Sequence, residues 1–110
     1  MDMFEVRKEG LLILELKGRL DALTSPGVRD KILTFLEAGE TNVLLDCSGM
    51  DYVSSAGLRV LFEAAYKARD LKGWIGSYGV CENVKKIFNL ADLSSELPTF
   101  RTQEEALKSR

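Results

Sequence analysis

Leu45-Asp46-Cys47-Ser48-Gly49-Met50-Asp51-Tyr52-Val53-Ser54-Ser55-Ala56-Gly57-Leu58 is the stretch on which the fold turns. At its head, Val43-Leu44-Leu45 is a short apolar run of the kind that fills an interior parallel strand, and Asp46 reads as its end. Beyond it, Leu58, Leu61, Phe62, Ala65 and Ala68 or Arg69 return at helical spacing, while Arg59, Glu63, Lys67 and Asp70 fall between them and face outward. The helix is expected from about Ser55 to Leu71, where Lys72-Gly73 breaks it. Trp74 to Tyr78 then reads as a further strand, giving one strand-helix-strand unit and with it parallel pairing.

Working back toward the N-terminus, Leu12, Leu14 and Leu16 alternate with Ile13, Glu15 and Lys17, a period of two that marks a strand buried more heavily on one face. Phe4 and Val6 repeat the alternation across the Glu9-Gly10 turn, so residues 3–8 and 11–17 form an expected antiparallel hairpin closed by Gly18. Ser25-Pro26 signals a helix start, with the serine hydroxyl as cap; Val28, Ile32, Leu33 and Leu36 share a face, and Gly39 ends the helix. Toward the C-terminus, Val84, Ile87, Phe88 and Ala91 mark a short helix, and residues 97–100 allow a short strand. Thr102-Gln103-Glu104-Glu105 is a capping box opening a last helix.

The expected fold class is therefore α/β: one domain over residues 1–110, with a mixed sheet of four to five strands and about four helices. Right-handed crossovers advancing one way across a sheet put their helices on one face. Helices 26–38 and 55–71 should both cover the face lined by Leu12, Leu14, Leu16 or their alternates. The loops at 18–25 and 46–55 then gather at one edge, where α/β sheets place function.

Composition narrows the chemistry. Against 17 acidic residues stand 15 basic ones, with no basic block to neutralise successive phosphates, so direct nucleic-acid binding is not expected. Charges interrupt every apolar run before the ~20 residues that cross a bilayer, and the first residues carry no export signal, so a cytoplasmic protein without membrane insertion is expected. The chain has no His, which removes Ser-His-Asp and Cys-His catalysis, and its two Cys cannot furnish a zinc set. Cys47 and Cys81 read as small buried hydrophobes, and no cofactor, metal or catalytic residue is assigned.

The chemistry that remains lies in the opening stretch. Ser55 stands where a hydroxyl caps a helix, and free backbone N–H groups there favour an attached anion; the plainer account is that Ser54-Ser55 does nothing more than cap. Gly57 costs a helix about 1 kcal/mol against Ala, which a close approach by backbone or partner would explain. Asp21, in the loop after the second strand, is expected near Ser55, although solvation alone accounts for a loop carboxylate. Asp46 and Asp51 would hold Mg²⁺ only with phosphate or water completing the shell.

With these segments placed, the sequence resembles the STAS family, and within it the bacterial anti-sigma factor antagonists made of this domain alone. The resemblance rests on Lys17-Gly18-Arg19-Leu20-Asp21, Leu45-Asp46-Cys47-Ser48, Val53-Ser54-Ser55-Ala56-Gly57-Leu58 and Val84-Lys85-Lys86-Ile87-Phe88-Asn89-Leu90. It implies an unphosphorylated protein that binds an anti-sigma factor with serine kinase activity, frees a sigma factor for transcription, and is inactivated by phosphorylation until a serine phosphatase restores it. Matched on Gly57-Leu58, the acceptor is Ser55, and Asp21 matches the acidic residue beside it. Some members carry Asp just before the acceptor where this chain has Ser54. Leu58 and Arg59 on the first helical turn, with Asp21, Ser54, Ser55 and Gly57, make up the implied partner surface. Two other readings are a STAS docking subunit of a transport or stress-signalling complex that needs no phosphate, and a small nucleotide-binding or hydrolytic protein using Asp46, Asp51 and Ser55. The last lacks a Gly-rich phosphate loop and a positioned cation.

Overall fold

The computed structural model describes all 110 residues. Five strands form one sheet in the order of the chain: β1 (Asp2–Lys8), β2 (Leu11–Leu20), β3 (Asn42–Val53), β4 (Trp74–Tyr78) and β5 (Thr99–Phe100). The first pair is antiparallel and the other three are parallel. Four helices accompany them: α1 (Ser25–Glu37), α2 (Ser55–Asp70), α3 (Glu82–Leu90) and α4 (Gln103–Lys108), with a single 3-10 turn at Leu93–Ser95. The mixed sheet, the N-terminal hairpin and the helix number agree with the expectation from sequence.

The faces of the sheet divide as the crossover argument requires. Leu12, Leu14, Leu16, Val43 and Leu45 meet Val28, Ile32 and Leu36 of α1, Val60, Leu61, Ala64, Ala65 and Ala68 of α2, and Val84 and Phe88 of α3 in one core of 22 buried residues. The opposite face holds only Leu11, Ile13, Leu44 and Ala106, flanked by Trp74, Tyr78, Phe100 and Leu107, so α4 is its sole helical cover. β2 is thus buried on both faces as far as Ile13, and the one-sided pattern begins only at Glu15. Val60 and Ala64 join the buried face of α2 because that helix touches α1 as well as the sheet, and helix-on-helix contact widens the buried stripe.

Several boundaries differ from the sequence reading. Gly18 does not close β2, which continues to Leu20, and Asp46 does not end β3, which continues to Val53. The pairing explains both. Glu15 faces Asp46 and Lys17 faces Gly49; Gly18 faces Met50 and Arg19 faces Tyr52. Each step places one more residue on β3 than on β2, so β3 carries two bulges. They re-aim the strand so that Cys47, Met50 and Val53, three apart instead of two, all enter the core. A period of three is not a strand signature, which is why the segment reads as a loop.

Cys47 is buried as expected, but Cys81 is exposed, because it sits at the cap position before α3 and outside its apolar face. Ser25 is not a cap: it is the first residue of α1, buried, and its hydroxyl donates to the Asp21 carbonyl at 2.5 Å. Thr102 does cap α4, accepting from the Glu105 N–H, yet the Glu105 carboxylate accepts from Arg101 N–H, one residue earlier than the capping box predicts.

Candidate functional site

The extension of β2 and β3 past β4 carries the site. What remains of the two expected loops is the tight turn Asp21–Thr24 and the single residue Ser54. A backbone hydrogen bond ties Ser54 to the strand end just before that turn, since the Ser54 N–H donates to the Leu20 carbonyl at 2.9 Å. Within the turn, the Asp21 carboxylate accepts from the Leu23 and Thr24 N–H groups at 3.0 and 3.1 Å, and Thr24 Oγ1 accepts from Asp21 N–H while donating to the Arg19 carbonyl. The Thr24 N–H bond, helped by Leu23 and by Arg19 3.6 Å away, holds the Asp21 carboxyl below the ordinary aspartate range. The Arg19 guanidinium in turn stacks 4.0 Å from the Tyr52 ring. Asp21 therefore fixes the shape of this turn besides bringing charge to it.

At the start of α2 the two serines have separate duties. Ser54, in extended conformation, is the cap, and its Oγ accepts from the Gly57 N–H at 3.2 Å. Ser55 is the first helical residue and is exposed. The expectation that Ser55 itself caps is thus corrected: the preceding hydroxyl fills that position, and Ser55 is left facing water with no capping bond to make. Leu58 is half-buried against the core and Arg59 is exposed.

Gly57 faces inward. A Cβ there would lie 2.6 Å from the Leu20 carbonyl oxygen, 2.8 Å from Leu20 Cγ and 3.0 Å from Val53 Cγ2. The close approach that its presence suggested is made by this protein's own backbone. Gly57 is buried, so it shapes the surface around Ser55 instead of offering atoms to a partner.

Between the first turns of α1 and α2 runs an open cleft lined by Ala22, Ser25, Arg29, Ser55, Arg59 and Glu63, among others. Arg29 reaches across from α1 to Glu63 of α2, Nε to Oε2 at 2.6 Å. Sequence reasoning missed Arg29 and read Glu63 only as solvent-facing, because sharing a sheet face does not say which residues of the two helices will meet. Asp46 and Asp51 are not brought to this cleft: Asp46 accepts from both the N–H and the hydroxyl of Ser48. No group of three metal-ligating carboxylates or thiols occurs.

Fold and site together define a small α/β domain that presents a solvent-facing serine on the first turn of a helix, at the sheet edge where the strands overrun their neighbours. A family model described as the STAS domain matches residues 5–106, and the chain belongs to that family. A curated relative from Bordetella bronchiseptica, provisionally named anti-sigma factor antagonist BtrV, is 29% identical over 98 residues, covering 89% of this chain and 84% of its own. The same fold occurs in a provisionally named anti-sigma factor antagonist from Thermotoga maritima, with TM-score 0.92, 18% identity and coverage of 96% of this chain and 92% of the other. It occurs too in the anti-sigma factor antagonist SpoIIAA in its unphosphorylated form, with TM-score 0.75, 17% identity and coverage of 97% and 96%.

Proposed function

We propose that this domain is an anti-sigma factor antagonist switched by phosphorylation of Ser55. Unmodified, it binds an anti-sigma factor with serine kinase activity through Asp21, Ser54, Ser55, Leu58 and Arg59, with Gly57 setting the close approach beneath them, and so frees a sigma factor in the cytoplasm. Transfer of the γ-phosphoryl group of ATP to Ser55 Oγ, with loss of the hydroxyl proton and departure of ADP, ends the interaction. A serine phosphatase restores it by hydrolysis.

The observation that carries this reading is the division of labour between the two serines. Ser54 spends its oxygen on the helix cap while Ser55 is exposed, so a phosphate can be added without removing a bond the fold uses. A phosphate adds about -1.5 to -2 charges, enough to repel an acidic partner or to strand an unpaired dianion inside a dry contact. The free N–H groups of the first turn of α2 favour an anion at that point, so the domain stays folded while its partner leaves.

The experiment is to capture the binding partner on the unmodified domain, add ATP, and map the modified residue in wild type, Ser55→Ala and Ser54→Ala proteins. Labelling on Ser55 with release of the partner is expected, and Ser55→Ala abolishes both. Undiminished labelling of Ser55→Ala sinks the assignment. A partner held equally with and without phosphate points to the docking-subunit reading.

A further inference from the structure

The cleft beside Ser55 contains two guanidinium groups in different situations. Arg29 is committed, with Nε 2.6 Å from Glu63 Oε2 and Nη1 3.6 Å from Asp30 Oδ1. Arg59 is exposed and forms no ion pair within the protein, although Glu63 lies one helical turn further on, because Arg29 reaches that carboxylate from the neighbouring helix. Ser55 and Arg59 are four residues apart on α2 and line the same cleft. Residues at that spacing are surface neighbours, about 5–6 Å between Cβ atoms, and the anion stands N-terminal to the cation, the favourable order along a helix.

We propose that Arg59 captures the phosphate carried by Ser55, so that phosphorylation both adds negative charge to the partner surface and withdraws the cleft's uncommitted cation from it. The proposal rests on Ser55 being the acceptor. Arg29, Arg59, Asp30 and Glu63 balance in formal charge before modification, and a dianion on Ser55 breaks that balance. Arg59 is the cleft's cation with no carboxylate partner to give up, and arginine–phosphate bonds are charge-assisted and often bidentate. Without it the phosphate would share the cleft with two carboxylates and with Arg29, whose charge is already matched by Glu63 and Asp30. Arg59 acts here as a positioning residue: it reacts with nothing, and it fixes where the phosphate sits and what the partner then meets.

The test uses the full chain with phosphoserine installed at position 55 during translation, so no kinase is needed. The second ionisation of the phosphate is followed by phosphorus NMR at low salt in the parent phosphoprotein with Arg59 intact, in Arg59→Gln, and in Lys67→Gln, which removes an equal charge two turns beyond Arg59 on the same helix. The expected result is a titration midpoint lower in the parent than in Arg59→Gln by about 0.2–0.4 pH units, with Lys67→Gln matching the parent. An unchanged midpoint in Arg59→Gln overturns the capture, as does an equal change in both variants, which would reduce it to net charge. Either outcome leaves the acceptor assignment standing, because that assignment fails only if the partner kinase modifies another residue.

Discussion

Gly57→Ala tests the packing that holds Ser55 in place. In an open helix the added methyl would stabilise the protein by about 1 kcal/mol, since glycine is the worse helix former. Here the new Cβ would sit 2.6 Å from the Leu20 carbonyl oxygen and 2.8 Å from Leu20 Cγ. The carbonyl is backbone within β2 and cannot rotate aside, so the overpacking cost belongs in the upper part of the usual range, about 2–3 kcal/mol. After the propensity gain the net loss is about 1–2 kcal/mol, a fall in Tm of roughly 5–10 °C for a domain of this size. Relief can come only by lifting the first turn of α2 off Leu20, which stretches the bond from Ser54 N–H to that same carbonyl. Amide exchange at Ser54 should therefore quicken. Gly27→Ala is the control: it lies in α1, its φ is not left-handed, and a Cβ there meets nothing within 4 Å, so it should stabilise by about 0.5 kcal/mol. Calorimetry of both variants decides the matter. A Gly57→Ala protein as stable as Gly27→Ala would refute the argument that close approach, not tolerance of the first turn, is why glycine stands there.

Ser54→Ala should cost about 1 kcal/mol in chemical denaturation by removing the cap on α2, whereas Ser55→Ala should stay within about 0.5 kcal/mol of wild type; the reverse order would mean that the capping duty is misassigned. Cys81 is exposed while Cys47 is fully buried and its thiol is pushed up to about 12 by desolvation, so a thiol reagent at pH 8 should label the native protein once, at Cys81, and twice only after unfolding. Mass spectrometry of the labelled protein reads this directly. The Asp21 carboxyl is held below its unfolded value, so its contribution to stability is present above that value, about 3.9, and is lost as pH falls through the lower folded value. Asp21→Asn should accordingly flatten the acid limb of the stability–pH curve below about pH 4, and a limb identical to wild type would count against the turn bonds described.

Elements whose residues follow a regular period were legible in the sequence. Leu12, Leu14 and Leu16 announced β2, and Val28, Ile32 and Leu36 announced α1, because each set packs against a flat neighbour that preserves the natural period. Order of elements then fixed parallel pairing and the shared helix face without any contact being known. The second half of β3 was illegible for the opposite reason. Two bulges convert a period of two into the spacing of Cys47, Met50 and Val53, and a bulge exists only in relation to the partner strand, so no window of one strand displays it. The cleft was legible on one wall only. Ser55 and Arg59 could be taken from local pattern, while Arg29 and its bond to Glu63 depend on how α1 and α2 meet across the chain.

The part that sequence could not show is also what makes the site usable. Had β3 ended at Asp46, residues 46–54 would form a free loop, and the serine after it would stand on a helix start with no fixed relation to Leu20 or to α1. The bulged extension keeps this segment paired to β2 up to Leu20 and Val53, so the Asp21 turn, the Ser54 cap and the first turn of α2 are tied to one rigid ribbon. A group added to Ser55 therefore stands on a backbone held by strand pairing, and its charge acts on the side chains around it from a fixed point. Of the two ways a phosphate can break an interface, melting a segment or changing what a preserved surface offers, this geometry favours the second.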